Sequence, residues 1–103
     1  MDISDELKQI SPDLFIDTMQ THDGLWLMRL ITSRTDIPKS TPLHTGHKCI
    51  KSSNWCTSEE KSIKSLKSRI LKEIKKLSEN EDPRPSELFR LEFLKSVQIE
   101  KIS

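Results

Sequence analysis

Between Thr57 and Ser78 the apolar positions Ile63, Leu66, Ile70, Ile74 and Leu77 recur at intervals of three and four. That spacing draws one apolar stripe along a helix, and the run Thr57-Ser-Glu-Glu60 has the form of a capping box that opens it. The pattern predicts a helix over 58–78. A second helix is expected over 86–100, with Ser86 as its cap after the break at Pro83-Arg-Pro85. It carries Leu88, Phe89, Leu91, Phe93, Leu94 and Val97, which cover more of its circumference than one neighbour usually buries. Its residues Leu88, Phe89, Phe93, Leu94 and Val97 are therefore the expected partner interface, most simply that of a homodimer.

Upstream, Ser11-Pro12-Asp13 has the chemistry of a helix start: a hydroxyl cap, proline at the first helical position, and an acid on the positive end of the dipole. Leu14, Phe15, Ile16 and Met19 follow, and Gly24 is read as the stop. Leu25 to Ile31 is apolar nearly all round, which fits a buried helix, with a buried strand as the minority reading. From Thr35 to Cys56 no period is usable, and Pro38, Pro42 and Gly46 punctuate a long loop. The expected fold is all-α: a small bundle of three to four helices with one long, zinc-braced loop over about 35–57. The chain reads as a single domain, 1–103. An acidic N-terminal helical segment (1–34) is followed by the His/Cys loop, the basic helix 58–78 and the C-terminal helix 86–100.

Charge sharpens this picture. The net charge is +1 over 103 residues. From Met1 to Gly24, however, six acids face one lysine, and from Lys48 to Lys76 nine bases face three acids. Such a field bears on partners and association rates rather than on fold. With about 100° per residue on a helical projection, the side opposite the apolar stripe carries Lys61, Lys64, Ser68, Arg69, Lys72, Lys75 and Lys76 and no acid. An ordinary solvated helix mixes signs, because opposite charges four residues apart stabilise it. A face of one sign makes sense if phosphates neutralise it. Lys61, Lys64, Arg69, Lys72, Lys75 and Lys76 are therefore the expected nucleic-acid-binding residues. No aromatic residue interleaves them, so stacking on single strands is not indicated. Lysine outnumbers arginine on this face, which favours sequence-independent phosphate contact over bidentate guanine recognition. The expected ligand is a duplex, RNA or DNA. The bland alternative is a solubility face.

The loop adds candidate metal chemistry. His44, His47, Cys49 and Cys56 lie within thirteen residues, and zinc takes imidazole and thiolate ligands in tetrahedral geometry. One structural zinc would also brace a loop that has little else to bury. The spacing matches no common framework. On the other reading these are polar loop histidines and two half-buried thiols, and His22 is a solvated turn residue.

Catalysis is not indicated. There is no glycine-rich phosphate loop, no nucleophile elbow and no His-Glu-x-x-His pattern. The acidic start has neither a secretory nor a transit-peptide character, and Leu25 to Met28 is too short an apolar run to span a bilayer. A cytoplasmic or nuclear setting is expected. In size, charge and composition the chain resembles small viral accessory proteins that sequester duplex RNA, although no motif carries a family assignment. Two functions follow: a non-enzymatic accessory or regulatory protein that binds duplex nucleic acid, or a helical protein-interaction module, an adaptor or inhibitor, with no nucleic-acid role.

Overall fold

The computed structural model describes residues 4–43 and 46–102. The chain is not all-α. Five strands, β1 (Ser4–Ser11), β2 (Leu14–Gln20), β3 (Trp26–Thr32), β4 (Thr41–Pro42) and β5 (Lys48–Ser52), precede two helices, α1 (Glu59–Ser78) and α2 (Pro85–Ser96). A single 3₁₀ turn, Ile99–Lys101, follows. The strands form one antiparallel sheet in the order β1-β2-β3-β5-β4. Both helices cover one face of it, an α+β architecture of two layers.

The expected N-terminal helices are hairpin strands, for identifiable reasons. Ser11-Pro12-Asp13 caps no helix; it turns β1 into β2. The Asp13 carbonyl is held from the far strand, accepting from Thr32 Oγ1 at 2.7 Å and from the Ser33 amide at 3.2 Å. Gly24 ends no helix either. It adopts φ +91° and closes the β2–β3 hairpin, with its amide donating to the Thr21 carbonyl at 3.0 Å. Glycine meets that left-handed requirement without steric cost. Leu25 to Ile31 proves to be mostly strand, the minority reading, because β3 is central in the sheet.

In β2 and β3, Leu14, Ile16, Met28 and Leu30 point into the layer between sheet and helices. The opposite parity, Phe15, Asp17, Met19 paired with Ile31, Arg29, Leu27, forms the other face. There the Asp17 carboxylate pairs with the Arg29 guanidinium across the strands. Both faces thus carry apolar residues, and the period-two alternation of a half-exposed strand is blurred.

The helix expected over 58–78 is α1. Its cap is Ser58, one residue beyond Thr57, with Oγ accepting from the Lys61 amide at 3.2 Å. Leu66 and Ile70 are fully buried against the sheet, and Ile63, Ile74 and Leu77 pack around them. The last helix ends at Ser96, not 100. It starts with Pro85 at its first turn, Glu87 reaching back to the Arg84 amide at 3.2 Å; Ser86 is not the cap.

The long loop is anchored by burial. Ile37 and Ile50 insert into the core, and β4 pairs with β5. Hydrophobic anchoring therefore supplies the bracing assigned to a metal on the sequence alone.

Candidate polyanion interface

α1 is 20 residues long, about 30 Å at the rise of an α-helix. Its inner side is consumed by the core, so its other side is presented to solvent along the whole length. Lys61, Lys64, Lys72, Lys75 and Lys76 are all exposed there. Their commitments are slight. Lys61 Nζ donates to Thr57 Oγ1 at 3.2 Å, and Lys64 lies 3.7 Å from Glu60, a fully solvated pair. Lys72, Lys75 and Lys76 have no partner among the described residues. Leu71, 53% exposed, interrupts the lysines on the flank away from β5 and lines a shallow depression with Lys64, Lys67 and Lys75.

Arg69 stands apart from this set. Its Nε donates to the Ser52 carbonyl at 2.8 Å and its Nη1 to Asn54 Oδ1 at 3.2 Å. The guanidinium ties α1 to the end of β5 and is half-buried.

On the β5 flank of α1 the surface becomes concave. A cleft of about 640 Å³ lies between α1, β5, α2 and the turn at Pro38-Lys39. Lys39, Lys51, Arg69, Lys72, Lys76 and Arg90 line it, against the acids Glu73 and Glu87. At its floor is a network, centred on Glu73, that the sequence reading did not anticipate. Glu73 turns inward. Its carboxylate accepts from Arg90 Nε, from Arg90 Nη2 at 3.2 Å and from Lys51 Nζ at 2.8 Å. Arg90 also donates to the Pro38 carbonyl at 2.9 Å and the Ile50 carbonyl at 2.8 Å. One side chain, 5% exposed, thereby links α1, α2, β5 and the loop. Burial alone would raise the Glu73 pKa, but the hydrogen bonds and charges of Arg90 and Lys51 outweigh it and hold the carboxyl at about 2. The sequence signal was available: Arg90 is the one charge within Leu88-Phe89-Arg90-Leu91, on a helix otherwise apolar at those positions. A lone base in such a run has to find an acid.

β5 places Lys51 here by a register shift. Leu30 pairs with Lys51 and Ile31 with Cys49, so Ile50 is the extra residue of a bulge. Ile50 and Lys51 then share the helix side of the sheet.

Among the described residues, the expected metal ligands Cys49 and Cys56 do not converge. Cys56 bridges Trp26 and Cys49 pairs with Ile31. Those β3 positions are about 16 Å apart at the rise of a strand, and their odd offset puts them on opposite faces. One ion cannot reach both thiols. The His47 ring meets Phe15 edge-on, with centroids 5.2 Å apart; His44 lies outside the described residues. Among the described residues no three His, Cys, Asp or Glu side chains gather as a metal site. His22 is an exposed turn residue.

The expected partner interface on α2 divides in two. Phe93, Leu94 and Val97 belong to the internal core, so a second chain cannot reach them. Leu88 and Phe89 remain exposed, at 47% and 41%, and Arg34 lies over the Phe89 ring at 5.6 Å from its centroid. Among the described residues no helix is long and apolar enough to cross a membrane.

No family model matches this chain, and no curated protein or solved structure is detectably similar to it.

Proposed function

We propose that this protein binds duplex nucleic acid without sequence preference, through the exposed lysine face of α1. The observation that carries the reading is the separation of roles on one helix. Leu66 and Ile70 commit one side to the core, while Lys61, Lys64, Lys72, Lys75 and Lys76 stand in solvent along about 30 Å of rigid axis. Lysine ammoniums on such a rod meet successive backbone phosphates as point charges, and binding is driven by counterion release. Nothing on the face distinguishes one base from another, so contact is with backbone and duplex shape.

The direct test replaces Lys61, Lys64 and Lys75 with Glu together. These three lie on the solvent side and do not line the cleft, and their contacts are confined to the exposed Lys61–Thr57 hydrogen bond and the solvated Lys64–Glu60 pair among the described residues. Anisotropy with labelled duplex RNA, duplex DNA and single-stranded RNA should show a loss of on the order of a hundredfold in duplex affinity, since three contacts are replaced by repulsions. Unchanged affinity in the folded variant would refute the assignment.

The second reading, a protein-interaction module, is favoured by the exposure of Leu88 and Phe89 next to each other on α2. If the native protein fails to bind any duplex at low salt while Phe89→Glu dissolves a dimer in sedimentation equilibrium, that reading replaces the first.

A further inference from the structure

The cleft beside α1 differs in kind from the convex lysine face. A rod-like surface suits a duplex, which rolls along it. A pocket of about 640 Å³ has room for a compact ligand, within the ordinary range of small-molecule sites. Ligand pockets are usually apolar and often aromatic. This one has six basic side chains and two acids in its wall, and no aromatic ring.

Both acids are hydrogen-bonded within the protein. Glu73 is saturated by Arg90 and Lys51, and Glu87 accepts from the Arg84 amide and from Asn80 Nδ2 at 3.1 Å. Three cations are left over. Lys39, Lys72 and Lys76 line the cleft without a partner among the described residues. They approach it from two sides, Lys39 from the loop and the other two from α1.

Lys39 is held in an unusual way. It has φ +61°, the only non-glycine residue with positive φ among those described. With Pro38 before it, this is the pattern of a type II turn, whose third position ordinarily takes Gly or Asn. A side chain there is disfavoured, because its Cβ crowds the following carbonyl oxygen. Arg90 clamps the turn through the Pro38 carbonyl, and Ser40 Oγ closes it on the Ile37 carbonyl at 2.7 Å. The fold therefore sustains a lysine in a strained position in the wall of a cationic cleft. Strain of this kind collects at ligand sites.

We infer that this cleft is a binding site for an oligophosphate chain, such as the triphosphate of a nucleoside triphosphate or of an RNA 5′ end. Lys39 grips it from the loop and Lys76 from α1, with Lys72 one turn from Lys76. Lys51, half-buried and paired with Glu73, supplies additional positive field from the floor. With no ring to stack a base, recognition depends on the number of phosphates and not on base identity. The cleft shares Lys72 and Lys76 with the duplex face, but Lys39 and Lys51 lie off α1 and Lys61, Lys64 and Lys75 do not line it, so different variants test the two.

Calorimetry with the full chain tests it, using inorganic tripolyphosphate, ATP, GTP and AMP. Tripolyphosphate and the two triphosphates should bind alike, and AMP about tenfold or more weakly, since each charge-assisted contact is worth roughly a factor of ten. Lys39→Gly with Lys76→Ala should lower tripolyphosphate affinity by about tenfold or more, whereas Lys64→Ala with Lys75→Ala should change it by no more than about twofold. Lys39→Gly alone relieves the backbone strain, so it should raise the melting temperature while weakening binding. A merely structural lysine would not separate those two readouts. Absence of tripolyphosphate binding at low salt overturns the site. So does an equal loss from the cleft pair and the outer pair, which would show a diffuse field. An RNA hairpin with a 5′-triphosphate, compared with its 5′-hydroxyl form, separates the sources. A gain of about tenfold assigns the RNA end, and equal affinity assigns the free nucleotide. Duplex binding that survives with no tripolyphosphate binding leaves the lysine face standing and removes the cleft.

Discussion

Arg90 and Glu73 form a two-point ion pair across the helices, with both carboxylate oxygens of Glu73 accepting from the Arg90 guanidinium. The pair is also the hinge between fold and surface. It fixes α2 against α1, holds the Pro38 carbonyl and the Ile50 carbonyl, and keeps Glu73 from neutralising the lysines outside. Removing Arg90 alone leaves the Glu73 carboxylate with Lys51 as its one charged partner among the described residues, short of most of its compensation, and two carbonyls without their donor. Arg90→Met should cost about 3–5 kcal/mol in urea unfolding, the usual cost of breaking a buried pair. Arg90→Met with Glu73→Leu should recover a large part of that loss, because Lys51 can swing its ammonium to water. A double variant no better than Arg90→Met would show that the carbonyl contacts, not the stranded charge, dominate.

The same pair sets the response to acid. The Glu73 carboxyl is depressed from 4.5 to about 2 in the folded protein. A depressed carboxylate contributes stability that is fully present above its unfolded pKa and is lost as pH falls through the folded value. Stability should therefore fall between about pH 4.5 and pH 2, by on the order of 3 kcal/mol from this group. Glu73→Gln should flatten that part of the profile in urea unfolding measured across pH. An unchanged acid slope in the variant would contradict the assignment.

Arg69 is expected to act on the fold more than on the ligand of the outer face. Its Nε is engaged by the Ser52 carbonyl at 2.8 Å. Arg69→Ala should lower stability by about 1 kcal/mol and leave the salt slope of duplex binding unchanged. A slope smaller by about one would mean that Arg69 gives up its backbone contact to reach a phosphate.

The two cysteines should behave independently. The β3 partners of Cys49 and Cys56 are about 16 Å apart along the strand, far beyond the reach of a disulfide. Burial pushes the Cys49 thiol up from its ordinary pKa, the nearby Arg29 charge opposing it only in part. Thiol titration of the folded protein should find two reactive groups, with Cys49 labelling slowly until the pH is raised. Loss of two hydrogens on mild oxidation of the monomer, read by mass spectrometry, would contradict the separation.

These features were legible in the sequence to different degrees. α1 was readable because its apolar stripe has one period and its cap is local chemistry. The β2–β3 hairpin was also written locally, in Asp23-Gly24 between two apolar runs, a strong hairpin signal. It was masked because Ser11-Pro12-Asp13 has the residues of a helix start equally well. Strand alternation was obscured because β2 and β3 carry apolar side chains on both faces. The outer lysines of α1 followed from periodicity alone. The cleft did not, since Lys39 and Lys51 join α1 only through a bulge in β5 and a turn clamped by Arg90. Contacts such as Arg90 with Pro38, far apart in the chain, have no periodic trace. Proximity in sequence misled at the His/Cys loop, where a sheet places the thiols on different faces.

The central claim is that the exposed lysines of α1 meet a duplex backbone. The most direct measurement is the anisotropy of labelled duplex RNA titrated with the native protein and with the Lys61→Glu, Lys64→Glu, Lys75→Glu variant across a salt series. The native protein should show log affinity falling with log salt at a slope of about −3 to −4, the sum of several released counterions. The variant should keep its fold and drop to about −1 or lose measurable binding. A native slope near zero, or a variant with the native slope, would contradict the account.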